Sequence, residues 1–126
     1  GLMIGAVAGH LTQIGSGQTF WSFVIGHGAF ELTAITLANA AGLKLGWALL
    51  APGRWPRSEA LRLAARQSVQ LVAGAILLLL LAAFVEAYWS SMTSIGSTIK
   101  FAVGGGLWLL LASYFALAGR GRHAPD

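Results

Sequence analysis

Cysteine is absent from these 126 residues, and charged side chains are scarce. The lack of cysteine excludes disulfides, thiolate metal sites and cysteine nucleophiles. Only 10% of the residues are charged, against roughly 25% in a soluble domain, whereas 56% are hydrophobic. This composition is typical of membrane proteins, and the length suits a single integral membrane domain, residues 1–126, built from a few helices.

Acidic residues are the scarcest charged group, with four Asp and Glu against eight Lys and Arg and a net charge of +4. A basic balance can indicate nucleic acid binding, but here the basic residues cluster at the ends of apolar segments. That arrangement is the positive-inside pattern of membrane proteins. We therefore expect membrane lipids as partners and no nucleic acid.

Three apolar segments are each long enough to cross a bilayer, which takes ~20 residues. Segment A covers residues 20–51, segment B residues 67–88 and segment C residues 100–118. The opening, residues 1–19, is apolar but shorter, and we expect it to end or follow a spanning helix; a re-entrant or surface segment fits almost as well. The sequence predicts an all-α polytopic bundle with three full spans and a partial N-terminal segment.

The basic residues predict the orientation of the bundle. The connection between segments A and B carries Arg54, Arg57, Arg62 and Arg66. The tail, residues 119–126, carries Arg120 and Arg122, and the connection between segments B and C has no charge. By the positive-inside rule, the A–B connection and the tail are expected in the cytoplasm and the B–C connection outside.

A short interfacial helix is expected in the A–B connection, over residues 57–66. Pro52, Gly53 and Pro56 end segment A, and Ser58 can cap a new helix. Its arginines can bind anionic lipid headgroups. The simpler interpretation is that these charges only set the topology.

Ionisable residues lie inside the apolar segments, where they are costly and often mark function. Segment A carries His27 and Glu31 one helical turn apart, segment B carries Glu86, and segment C begins at Lys100. Glu31, Glu86 and Lys100 each lie about 20 residues, or ~30 Å of helix, from the predicted cytoplasmic boundary. We therefore predict that the four residues form a charge cluster or ion site near the outer edge of the hydrocarbon.

Small residues follow His27 and Glu31 along one face of segment A. They are spaced by four, as Ala34, Ala38, Gly42 and Gly46. This small-xxx-small pattern permits close helix packing. Together with the modest size of the chain, it favours a homo-oligomer.

Four interpretations of the charged layer remain open. The simplest is a structural ion cluster, in which Lys100 pairs with one carboxylate and His27 or hydroxyls satisfy the other. The second is a cation or proton path through Glu31 and Glu86. The third is a metal site of His27, Glu31 and Glu86, which the nearby lysine opposes. Catalysis is the weakest, because the His-x-x-x-Glu pair lacks the second histidine of a zinc protease motif and no nucleophile motif is present.

The run GHGAFELTAITLANAAGLKLG, residues 26–46, resembles the most recognisable stretch of the stage II sporulation protein M family. Members typically carry a His-Gly-x-x-Glu-Leu run and then a small-residue stretch that ends in Ala-Gly-Leu-x-Leu-Gly. The later AAFVEAYWS, residues 82–90, is similar to the second acidic segment of the family and supplies Glu86. The resemblance implies a multi-pass protein of a bacterial or archaeal plasma membrane. The eponymous member acts in spore engulfment as a membrane partner of peptidoglycan-degrading proteins, whereas most relatives occur in organisms that do not sporulate.

We therefore expect a non-enzymatic integral membrane component, without a cofactor, that scaffolds or anchors a cell-envelope complex. Its expected partners are lipids, further copies of the chain and a protein of that complex. The alternative is a small ion channel or transporter subunit, with Glu31, Glu86 and His27 lining an acidic ion site in the outer leaflet. A metal-dependent membrane hydrolase is a distant third.

Overall fold

The computed structural model describes residues 1–118, so the predicted tail with Arg120 and Arg122 lies outside the described residues. Of the described part, 86% is helical and none is strand, which confirms the all-α prediction. The helices follow one another as α1 (Leu2–Gln13), α2 (Gly17–Leu50), α3 (Arg57–Phe84) and α4 (Ser97–Ala118), with a π-helical turn at Val85–Ser90 that continues α3.

Three of these helices are long and apolar enough to cross a membrane. They are Gly17–Leu50, Arg57–Ser90 and Ser97–Ala118. Most of their large apolar side chains are exposed in the structure. Exposed apolar surface of this extent marks contact with lipid or with other protein, so the chain is a membrane protein.

The helix boundaries differ from the sequence prediction at several places. The interfacial helix expected at residues 57–66 is not a separate element, because α3 begins at Arg57 and runs without a break past residue 67. Pro52, Gly53 and Pro56 separate it from α2, but no proline follows before the end of the π-helical turn. Because no proline interrupts it, α3 joins its polar first turns and its apolar remainder in one continuous helix.

The glycines that flank His27 do not interrupt α2, and α4 begins three residues before the predicted segment C. In the opening, residues 1–19, the 12-residue α1 precedes a turn at Gly15, where φ is +82°. That backbone conformation is open to glycine and strained for other residues.

Tertiary contacts divide the chain into two compact units, where the sequence suggests a single domain. Among the described residues, the first unit combines residues 1–29 with residues 83–118, and the second is Phe30–Ala82. Helices α2 and α3 each contribute residues to both units.

In the first unit, glycines let helices approach α2. A Cβ atom built on Gly104 of α4 would lie 2.7 Å from Cγ1 and 2.8 Å from Cγ2 of Ile25. On α2 itself, a Cβ atom at Gly26 would lie 3.5 Å from Cγ1 of Val85 in the π-helical turn. Small residues at these positions therefore bring α4 and the π-helical turn against the first part of α2.

In the second unit, the contacts are also made by small side chains. The buried residues are Ala34 and Ala41 on α2 and Ala60, Ala64, Ser68, Ala75 and Ala82 on α3. A Cβ atom at Gly74 would meet Leu37 at 3.7 Å, an ordinary contact distance. Alanine and glycine thus allow α2 and α3 to pack closely here.

Only one member of the predicted packing stripe is buried by this contact. Ala34 is fully buried, whereas Ala38 and Gly42 are exposed and Gly46 is half-buried. Among the described residues, nothing lies within 4 Å of a Cβ atom built at Gly42 or Gly46. Most of the stripe is therefore an open surface of the single chain.

Candidate functional site

Two of the four residues predicted in the charged layer meet at a single serine. His27 is 6% exposed and Lys100 is 7% exposed, and both contact Ser90, the last residue of the π-helical turn. His27 Nδ1 lies 3.2 Å from Ser90 Oγ, and Lys100 Nζ donates to the carbonyl oxygen of Ser90 over 2.8 Å. We call His27, Ser90 and Lys100 the Ser90 cluster; all three belong to the first unit.

The position of Ser90 at a helix end explains the contact with Lys100. The last carbonyls of a helix have no partner within the helix and carry a partial negative charge. Lys100 lies in the first turns of α4 and brings an ammonium to one of these carbonyls. The chain turns tightly between the two helices, with the N–H of Met92 bonded to the carbonyl of Trp89 at 3.3 Å.

The ring of His27 is held from two directions. Its Nδ1 contacts the Ser90 hydroxyl, which can donate or accept according to the tautomer. The ring also packs edge-on against Phe23, with 5.1 Å between the ring centroids. The cluster therefore ties α2, the π-helical turn and α4 together through polar contacts within the first unit.

The two carboxylates lie outside the Ser90 cluster. Glu86 is in the π-helical turn and is exposed, while Glu31 belongs to the second unit and is exposed there. Within residues 1–118, Lys100 forms no ion pair with an acidic side chain; its hydrogen bond goes to a backbone carbonyl. The structural ion cluster expected from the sequence is thus replaced by a cluster built on a serine.

The side chains predicted to bind a metal ion do not come together among the described residues. In the part of the chain that the structure describes, no three His, Asp or Glu side chains come close enough to hold a metal ion. His27, Glu31 and Glu86 are therefore not gathered into such a site there.

The arginines predicted to meet lipid headgroups all lie at the connection between α2 and α3. Arg54 is in the connecting loop, and Arg57, Arg62 and Arg66 are in the first turns of α3. All four side chains are exposed, so they are accessible to headgroups.

The individual hydroxyl side chains at this site, Ser90 among them, were not identified by sequence reasoning, which invoked hydroxyls only in general. A cavity of about 370 Å³ adjoins the Ser90 cluster, with Lys100 and Phe23 among its lining. The hydroxyl-bearing residues of that lining are Thr19, Ser22, Ser90, Ser91, Thr93 and Ser97. The available signal was the uncharged run WSSMTSIGST, which is rich in serine and threonine and supplies four of the six.

Most of the chain matches a known protein family. The family model described as Stage II sporulation protein M matches residues 1–91. The matched part includes α1 to α3, Ser90 and the two carboxylates of the predicted charged layer, Glu31 and Glu86. Helix α4 with Lys100 lies beyond it. No curated protein and no solved structure matches the chain.

Proposed function

The chain belongs to the stage II sporulation protein M family, and from this premise we propose that it is a non-enzymatic membrane component that scaffolds or anchors a cell-envelope complex. The observation that carries the proposal is the exposure of Glu31 and Glu86 on helices long and apolar enough to cross a membrane. A carboxylate within a spanning segment is costly to expose to lipid, so such groups usually face protein or water. Their exposure in the single chain therefore supports contact with further chains.

The surface of α2 around Glu31 suits such a contact. Ala38 and Gly42 follow Glu31 at helical spacing on the same side of α2, and both are exposed. Small residues let two helices approach closely, and polar side chains form hydrogen bonds across the contact. We call Glu31, Ala38 and Gly42 the Glu31 face and propose that it joins copies of this chain in a homo-oligomer. An envelope protein would be a further partner of that assembly.

The proposed location is a bacterial or archaeal plasma membrane, with the α2–α3 connection and the tail in the cytoplasm. The exposed arginines at that connection support this orientation, and the loop between π-helical turn and α4, residues 91–96, carries no charge. In this orientation the arginines would contact the anionic headgroups of the inner leaflet, worth ~1 kcal/mol for each basic residue.

A flux measurement separates the scaffold from the transport alternative. Liposomes that contain the parent protein, Glu31→Gln or Glu86→Gln are expected to stay tight to protons and cations, because the scaffold needs no conduction path. Glu59→Gln, in the first turn of α3, is the matched control. A cation flux in the parent that both spanning-segment substitutions remove would replace the scaffold by a channel or transporter subunit with an acidic ion site.

A further inference from the structure

Lys100 carries a buried charge that the described chain does not balance with a carboxylate. Its ammonium has three donors, of which one binds the Ser90 carbonyl oxygen. A helix C-terminus supplies roughly half a negative charge, which offsets the ammonium only in part. Burying a charge is costly unless it is paired. An anion from outside the chain would complete the pairing.

The cavity beside Lys100 has the polar groups that an anion requires. Its volume of about 370 Å³ is well above the roughly 10–15 Å³ that admits a single water molecule. Lys100 and six hydroxyl-bearing residues line it, and none of the acidic residues in the described part of the chain does. The hydroxyls of Ser22 and Ser91 donate to backbone carbonyls and that of Ser90 contacts His27, which leaves the hydroxyls of Thr19, Thr93 and Ser97 for an anion. The lining therefore combines one positive charge with several hydrogen-bond donors.

Helix α4 adds backbone donors at the same place. It begins at Ser97, which lines the cavity. The N–H groups of Ile99 and Lys100 bind the carbonyl of Gly96, and the N–H groups of Ser97 and Thr98 precede the first bonds within the helix. The start of a helix is a favourable place for an anion because these donors and the helix dipole act together.

We propose that this cavity binds a phosphate group, carried by an anionic lipid headgroup or by a free phosphate. A phosphate has more acceptor oxygens than a carboxylate and can engage the ammonium, the hydroxyls and the helix N–H groups together. The cavity lies where α2 and α4 begin and α3 with its π-helical turn ends, and lipid headgroups lie at the ends of spanning helices. This binding does not depend on the scaffold function.

Thermal unfolding of the purified full chain in detergent tests the proposal with inorganic phosphate as the probe. Phosphate is expected to raise the melting temperature in a saturable way, and chloride at matched ionic strength is not. Lys100→Met removes the charge and is expected to weaken the apparent phosphate affinity at least tenfold. Lys44→Met, an exposed lysine of the second unit, is the matched control and is expected to bind like the parent.

A second variant keeps the test decisive if Lys100→Met does not fold. Thr93→Val combined with Ser97→Ala removes two lining hydroxyls outside the Ser90 cluster and is expected to weaken phosphate binding severalfold. An unchanged affinity in that variant, or in a folded Lys100→Met, would overturn the proposal.

Native mass spectrometry from nanodiscs of phosphatidylglycerol and phosphatidylcholine identifies the source of the phosphate. Phosphatidylglycerol that stays bound and is displaced by inorganic phosphate assigns the site to a lipid headgroup. Stabilisation by phosphate without retained lipid assigns it to a free phosphate. Neither stabilisation nor lipid retention in the parent would show that the cavity is not a phosphate site.

Discussion

At the scale of single residues, two buried serines differ in whether their hydroxyl has a hydrogen-bond partner. Ser90 Oγ lies 3.2 Å from His27 Nδ1, whereas Ser68 Oγ, equally buried in the second unit, has no hydrogen-bond partner among the described residues. A buried hydroxyl without a partner costs about 1–3 kcal/mol, and a typical hydrogen bond contributes about 0.5–1.5 kcal/mol. The same substitution is therefore expected to change stability in opposite directions at the two positions.

Ser68→Ala is expected to raise the free energy of unfolding by about 1 kcal/mol, because it removes the unpaired hydroxyl and favours the helix. Ser90→Ala is expected to lower it by about 1 kcal/mol, because the buried His27 ring loses its hydroxyl partner. Denaturant unfolding in detergent micelles measures both changes. Equal changes at the two positions would show that the pairing of the hydroxyl does not matter.

The partner of Lys100 shows what residue patterns leave undetermined. Opposite charges at the same depth make a carboxylate the natural expectation for Lys100. In the structure, the Lys100 ammonium instead donates a hydrogen bond to the carbonyl oxygen of Ser90. Every residue has a backbone carbonyl, so its availability depends on where a helix ends and is invisible in side-chain composition.

At the scale of elements, helix existence was predictable and helix ends were less so. The apolar length of each segment is a strong signal, and all three segments correspond to helices long enough to span. The arginines of residues 57–66 suggest a separate interfacial helix, yet polarity alone does not end a helix. The π-helical turn at Val85–Ser90 lies against Gly26 of α2, and no local sequence signal predicted it.

The contact between α2 and α4 predicts different effects for two neighbouring glycines. Gly104→Ala is expected to destabilise the protein by about 1–3 kcal/mol, because its Cβ would press on the β-branched side chain of Ile25. Gly106→Ala is expected to be neutral or stabilising by up to about 1 kcal/mol. Thermal unfolding of both variants in one detergent measures the difference.

Gly106 is the matched control because, among the described residues, nothing lies within 4 Å of a Cβ atom built there. A Gly104→Ala variant as stable as Gly106→Ala would contradict the close approach of α4 to Ile25.

At the scale of the whole molecule, composition predicted the membrane class and the basic residues predict the topology. Because these 126 residues contain no cysteine, a single introduced cysteine can be labelled without a signal from native cysteines of the chain. An impermeant maleimide is expected to label Ser94→Cys in intact cells and Ser58→Cys only after the membrane is opened, since the arginines hold the α2–α3 connection inside. The reverse pattern would contradict the proposed orientation.

Which surfaces pair between chains could not be predicted from the sequence. A stripe of small residues looks the same whether it packs within one chain or between two. In the structure Ala34 is buried by packing within the chain, while Ala38 and Gly42 are exposed on the same side of α2 as Glu31. The stripe thus splits between internal packing and an open face, a division that follows from the tertiary arrangement of α2 and α3.

Oxidative cross-linking in native membranes tests most directly whether the Glu31 face joins copies of the chain. Ala38→Cys is on that face, and Thr36→Cys is an exposed control roughly 200° away around the same helix. The proposal predicts disulfide-linked dimers from Ala38→Cys, few from Thr36→Cys, and a smaller dimer fraction when Glu31→Gln is added. No dimer from Ala38→Cys, or equal yields at the two positions, would contradict an assembly through the Glu31 face.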